Sequence, residues 1–305
     1  MFIDKLTTAV ISTSLLFILL SFSFNAVAQN NFNKSELFIT ADKLKQKLED
    51  NGNIKIIDVR SSAQYLLGHL PGAVHMWGAD LSAQEGWVTE LIPEAKIFSL
   101  RAQEKGINND SEVIIYSDAK SPWAARLAFI FKYYNHQNVK ILSGGYQAWK
   151  EKDFESNMLP FKAEKGDFWA TDVNNEWLIN SDTIAENLDN DNFIILDLRS
   201  SEEYSGNLKK TGAYRKGRIP GSINLEWSEL FNAEDKLKSR EELKKIFKEK
   251  NIPKDKNKTV ALLSHEGVKA SHTYLILKNL GYQNLKLYDE AWVGWSHRSD
   301  LPVEN

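Results

Sequence analysis

The chain contains no cysteine in 305 residues. That absence excludes a disulfide framework, a thiol nucleophile and a thiol-borne lipid anchor. A strong charge of one sign is also missing, since the formal net charge is −3. Nucleic acid demands a basic face to meet its phosphates, so it is excluded as a main partner. The densest basic stretches are Lys236 to Arg240 and the lysines between 244 and 258. They are interleaved with Glu and Asp and read as a solvated helix face. The histidines stand at 69, 75, 136, 265, 272 and 297, with no pair at H-x-x-x-H spacing. His265, Glu266 and His272 form the one local cluster, and their spacing does not put all three on one face. No metal site and no cofactor is expected.

The N-terminal apolar run is short. Val10 to Phe24, centred on Leu15 to Leu20, falls below the roughly 20 residues of a membrane span. Lys5 gives a weak positive end, diluted by Asp4, and Ala26-Val-Ala28 supplies an A-x-A cleavage site. Residues 1–28 therefore read as a signal peptide, with Gln29 as the mature start. The expectation is an exported protein, periplasmic or secreted, with no membrane contact after cleavage. Export leads to an oxidising compartment, but this chain has no disulfides to use there. Its cores alone must hold it.

What is present suffices for that. A hydrophobic fraction of 42% and an aromatic fraction of 11% can fill two cores, and the length fits two domains of ordinary size. The chain also repeats itself. Thr40 opens an amphipathic helix with Leu44 and Leu48 inward, and Ser181 opens its counterpart with Ile184 and Leu188. Ile54-Lys-Ile-Ile-Asp-Val-Arg60 is matched by Phe193-Ile-Ile-Leu-Asp-Leu-Arg199, each a mostly apolar run suited to a buried parallel strand. Asp58-Val-Arg-Ser-Ser-Ala-Gln-Tyr65 returns as Asp197-Leu-Arg-Ser-Ser-Glu-Glu-Tyr204, at an offset of 139. Gly68-His-Leu-Pro-Gly-Ala73 returns as Gly217-Arg-Ile-Pro-Gly-Ser222, at an offset of 149. The second copy thus carries ten extra residues within Gly206 to Lys216. Strands alternating with helices predict an α/β fold with a parallel sheet in each copy.

The chemistry should sit where a strand runs into a helix. Val260 to Leu263 reads as a buried strand, Ser264 to Lys269 as a short loop around Gly267, and Ala270 onward as a helix carrying Tyr274, Leu275, Leu277 and Leu280. Backbone N–H groups at such a helix start converge and carry the positive end of the dipole. In the first copy, Glu112 to Tyr116 is the strand, Ser117 to Trp123 the loop and Ala124 onward the helix. The connection from Phe154 to Asn175 holds Phe154, Phe161, Phe168 and Trp169, too aromatic for a floppy tether, and is predicted to pack across the domains.

The Asp-x-Arg run, the Gly-x-x-Pro-Gly turn, the loop Ser264-His-Glu-Gly-Val-Lys269 and the ending Leu287-Tyr-Asp-Glu-Ala-Trp-Val-Gly-Trp295 together resemble the rhodanese family of thiosulfate and mercaptopyruvate sulfurtransferases. The resemblance implies two rhodanese-like domains, at 36–153 and 177–305, joined by a linker at 154–176. It implies that the first is non-catalytic. It also implies a nucleophilic Cys at the first loop position, where this chain has Ser264. Sulfur transfer needs a thiolate, which a helix start favours by lowering a Cys pKa from about 8.5 to roughly 3.5–7.5. A Ser hydroxyl stays neutral there, and oxygen makes no equivalent stable carrier of sulfur.

The expectation is therefore the family fold without its covalent step. The loop Ser264, His265, Glu266, Gly267, Val268 and Lys269 would keep a seat for a small oxyanion (sulfate, thiosulfate or phosphate) or for a protein partner. Glu266 would oppose an anion if it faced the pocket. Asp197, Arg199 and Arg218 could support the pocket, although the first two are expected chiefly to form a salt bridge that pins the loops. The alternative is the sulfurtransferase activity itself. Serine hydrolysis with His265 or His272 as base is disfavoured, because neighbouring side chains in a tight loop diverge.

Overall fold

The computed structural model describes residues 37–50, 53–171 and 173–305, so the segment read as a signal peptide lies outside the described residues. The first copy runs β1 (Phe38–Ile39), α1 (Ala41–Glu49), β2 (Ile54–Asp58), α2 (Ser62–Leu67), β3 (Ala73–His75), β4 (Ala83–Glu85), β5 (Val88–Leu91), α3 (Ala95–Glu104), β6 (Glu112–Tyr116), α4 (Trp123–Tyr133), β7 (Val139–Leu142) and α5 (Gly145–Lys150). The second runs β8 (Leu178–Ile179), α6 (Ser181–Glu186), β9 (Phe193–Asp197), α7 (Ser201–Tyr204), β10 (Ile223–Asn224), α8 (Arg240–Glu249), β11 (Thr259–Leu263), α9 (Gly267–Asn279), β12 (Leu285–Tyr288) and α10 (Ala291–His297).

Each copy folds into a five-stranded parallel sheet flanked by helices, in the orders β1-β7-β6-β2-β3 and β8-β12-β11-β9-β10. The two orders correspond strand for strand, so the repeat in sequence is a repeat in space. The central strands explain the choice of sheet. Val113 to Tyr116 of β6 and Ala261 to Leu263 of β11 are fully buried, as unbroken apolar runs covered on both faces must be.

Local signals set the helix starts. Thr40 accepts a hydrogen bond from the Lys43 N–H, and Asn180, one residue before the predicted start at Ser181, does the same for Thr183. Ser61 with Gln64 and Ser200 with Glu203 form capping boxes on α2 and α7. Just upstream, Arg60 pairs with Asp58 at 2.6 Å and donates to the Gly68 carbonyl at 2.6 Å. Arg199 repeats this with Asp197 at 2.6 Å and the Gly217 carbonyl at 2.9 Å. Each buried pair thereby ties the Gly-x-x-Pro-Gly turn to its strand end.

Two features depart from the sequence reading. The antiparallel hairpin β4–β5, with Ala83 opposite Leu91 and Glu85 opposite Val88, was not foreseen. The aromatic residues of the connection pack on the first domain, and its end reaches the second, where Lys286 donates to the Glu176 carbonyl. Phe168 is buried edge-on against Phe98 and Phe131, and Phe154 meets Trp149. Phe161 and Trp169 are half exposed. The first domain offers the apolar hollows, and Phe154 and Phe168 fill them.

The contact across the domains is made by α4 and α9, the helices that follow the two loops. Phe129 meets Tyr274 edge-on at 5.0 Å, and Trp177 lies against both rings. One buried apolar cluster runs from Leu37 to Leu287 through both copies. Among the described residues, no helix is long and apolar enough to cross a membrane.

Candidate functional site

Ser264 follows β11 directly and is 1% exposed. The backbone fixes it from the far side: Trp292 N–H donates to the Ser264 carbonyl at 3.0 Å, and Val293 N–H to the His265 carbonyl at 3.1 Å. The start of α10 thus holds the loop in place. The side chain is equally constrained. Ser264 Oγ donates to the Glu266 carbonyl and accepts from the Ala270 N–H, the latter at 3.3 Å. Among the described residues, Ala270 supplies the one N–H bonded to that oxygen.

The loop is shorter than its sequence suggests. It spans Ser264 to Glu266, and α9 begins at Gly267, three residues before the predicted start at Ala270. Glu266 is the extended residue that opens the helix, with φ −121° and ψ 165°. Gly267 is glycine for packing and not for a turn. A Cβ there would collide with Asp289 Oδ1 and come within 3.3 Å of Arg126 Nη1. Val268 is buried in the first helical turn. Lys269 reaches over the Trp227 ring at 5.4 Å.

The remaining candidates are drawn to different partners. His265 Nε2 lies 2.8 Å from the Thr211 carbonyl, and Nδ1 lies 3.3 Å from Glu203 Oε1. Both ring nitrogens face acceptors and neither faces Ser264. Burial alone would raise the Glu203 carboxyl, but pairing with His265 and hydrogen bonds from Ser200 pull it down to about 2. His272 is buried, accepts from Trp227 Nε1 at 3.0 Å, and is pushed down to about 3 by desolvation. A nucleophilic Ser needs a base within reach and a third group to orient it. Both histidines are engaged elsewhere. Glu266 turns toward the first domain, where Thr89 Oγ1 donates to its Oε1 at 3.2 Å.

Arg199 stacks over Trp292 at 4.1 Å while pairing with Asp197. Arg218 pairs with Glu304 at 2.9 Å and lies over Tyr204. These three residues brace the C-terminal segment and the turn. The ten-residue insertion is anchored as well, since Arg215 donates to the carbonyls of Trp295, Ser296, Arg298 and Leu301. It supplies the Thr211 carbonyl that holds His265.

Sequence patterns missed the residues that join the domains here. Arg126 of α4 is fully buried and donates through Nη1 to Asp289 at 2.7 Å and Ser271 at 2.9 Å, and through Nη2 to the Glu90 carbonyl. Asp289 also accepts from the Ile92 N–H at 2.8 Å. Asp289 lies inside a recognisable motif, but nothing adjacent to Arg126 in sequence marks it. The hairpin then covers the loop: Trp87 stacks on His297 at 5.8 Å, beside Tyr214.

Two parallel α/β sheets, each ending in an Asp-x-Arg pair, a Gly-x-x-Pro-Gly turn and a strand–loop–helix junction, define a tandem two-domain class. The family described as Rhodanese-like domain matches residues 40–152 and 180–298. The chain belongs to the rhodanese-like family. It is 31% identical over 278 residues to 3-mercaptopyruvate sulfurtransferase of Escherichia coli K12, covering 88% of this chain and 97% of that one. It is 28% identical over 280 residues to thiosulfate sulfurtransferase of Corynebacterium glutamicum, covering 88% and 90%. Among solved structures, an anaerobic ergothioneine biosynthesis enzyme from Chlorobium limicola superposes with a TM-score of 0.78 at 23% identity, covering 88% of this chain and 70% of that one. That likeness speaks to the fold.

Proposed function

We propose that this protein is an exported rhodanese-like protein that performs no sulfur transfer and uses its second-domain loop to bind a small oxyanion or a protein partner. The observation that carries the first half is the state of Ser264. It stands where the family carries its nucleophile, its hydroxyl is committed to the Glu266 carbonyl, and the chain has no cysteine to replace it. The binding half is supported by the start of the 13-residue helix α9 and by Lys269 beside it. Glu266, which would repel an anion, is held toward Thr89. Sulfate, thiosulfate and phosphate are the ligands that such a seat suits.

The test is turnover of thiosulfate or 3-mercaptopyruvate with cyanide as acceptor. The wild type forms no thiocyanate above buffer, and any turnover overturns the reading. Ser264→Cys gains a thiol at a helix start and forms a persulfide detectable by mass spectrometry. Titration with sulfate and thiosulfate checks the seat, and Lys269→Gln weakens it if the seat is used. Export is checked by sequencing the mature N-terminus, expected at Gln29.

A further inference from the structure

Between the two domains lies an open cleft of about 410 Å³ that none of Ser264 to Lys269 lines. Its apolar walls come from both copies, Leu91 and Ile92 from the first and Leu178 and Ile179 from the second. Its charges are all of one sign: Glu85, Asp289 and Glu290 line it, and no Lys, Arg or His does. Asp289 is matched by Arg126 at 2.7 Å. Glu290 accepts a hydrogen bond from Ser181 at 3.0 Å, but neither it nor Glu85 has a cationic partner among the described residues.

Acidic groups in a cleft do not by themselves make a site. The independent observation is Tyr133. It is 8% exposed and lines the cavity, and its hydroxyl bonds to no other described residue. Its ring is packed against Phe129 while the hydroxyl stays accessible and free to meet a ligand. Burial and the neighbouring charge of Asp289 raise its pKa, so the hydroxyl keeps its proton and can both donate and accept. An unanswered hydroxyl, two unpaired carboxylates and aliphatic walls call for a ligand with a positive end and a short apolar body. A volume of this order suits a small molecule.

We propose that this interdomain cavity binds a small organic cation of the alkylammonium class, with its charged end met by Glu290 and Glu85 and its N–H accepted by Tyr133. The chain of the ligand lies on Leu91, Ile92, Leu178 and Ile179. An anion of equal size is repelled. The proposal is independent of the loop reading, because it uses no residue of the loop.

The test titrates the full chain with n-butylammonium, n-butanol and butyrate, followed by ligand-observed NMR. Butylammonium is expected to saturate, to bind about ten-fold tighter than butanol, and to leave butyrate without a saturable signal. Glu290→Gln keeps an acceptor for Ser181 and weakens butylammonium about ten-fold. Glu85→Gln, on the exposed hairpin, weakens it in the same direction. Glu241→Gln, on α8 and away from the cavity lining, leaves it unchanged. Butanol or butyrate binding as tightly as butylammonium overturns the proposal. So does the absence of saturable butylammonium binding, or affinity unmoved by both cavity glutamate variants.

Discussion

Gly267 illustrates how one residue can mislead a reader of sequence. A glycine between a strand and a helix invites assignment to the loop. In the structure it is helical, and its missing Cβ makes room for Asp289 and the Arg126 guanidinium. Gly267→Ala is expected to destabilise the protein by about 1–3 kcal/mol, the usual cost of forcing a methyl into a filled site, measured by urea unfolding. An unchanged midpoint would mean that Asp289 can move aside at no cost.

His272 has a different signature. It is buried neutral, with its pKa depressed from the ordinary 6.5 to about 3 by desolvation. A depressed group contributes stability that is fully present above the unfolded value and lost as pH falls toward the folded one. Unfolding free energy is therefore expected to drop between about pH 6.5 and 3, at a rate of up to ~1.4 kcal/mol per pH unit. His272→Gln is expected to flatten that limb in denaturant titrations run across the range. An equally steep limb in the variant would assign the acid sensitivity to other groups.

At the level of elements, legibility followed periodicity. β2, β6, β9 and β11 are mostly apolar runs with turn signals at their ends, so sequence finds them. The hairpin β4–β5 has no such run. Its residues are mostly polar and half exposed, its turn is Gly86-Trp87, and its reason for existing is the loop of the other domain, far away in sequence. The linker is similar: its aromatics announced that it packs, but only the fold shows where.

The hairpin meets the second domain through Thr89 and Trp87, while its Glu90 carbonyl accepts from Arg126 of its own domain. Trp87→Ala combined with Thr89→Val is expected to speed amide hydrogen exchange across residues 83–91 while lowering global stability by about 1 kcal/mol or less. Exchange that stays at the wild-type rate would show that the hairpin is held by the Arg126 contact alone.

For the whole molecule, the interface is the dominant fact. Arg126 is fully buried with Asp289 as its counter-charge. Removing one partner of such a pair strands the other, at a cost of about 3–5 kcal/mol. Asp289→Asn is expected to lower the melting temperature by calorimetry and to split the single transition into two as the domains lose their coupling. Arg126→Met with Asp289→Leu is expected to recover much of the loss, because apolar groups can fill the gap without a stranded charge. A single sharp transition in Asp289→Asn would assign the coupling to the aromatic contacts of α4 and α9. The family and the repeat were readable because they rest on motifs local in sequence. Arg126 was not, because its meaning depends on a residue 163 positions away.

The shared apolar cluster has a consequence for inheritance. A fragment encoding only the second copy would leave Tyr274 and its neighbours bared to water, so the two halves are expected to be inherited together. The first copy, whatever else it does, thus serves the second as a buttress through Phe129 and its neighbours.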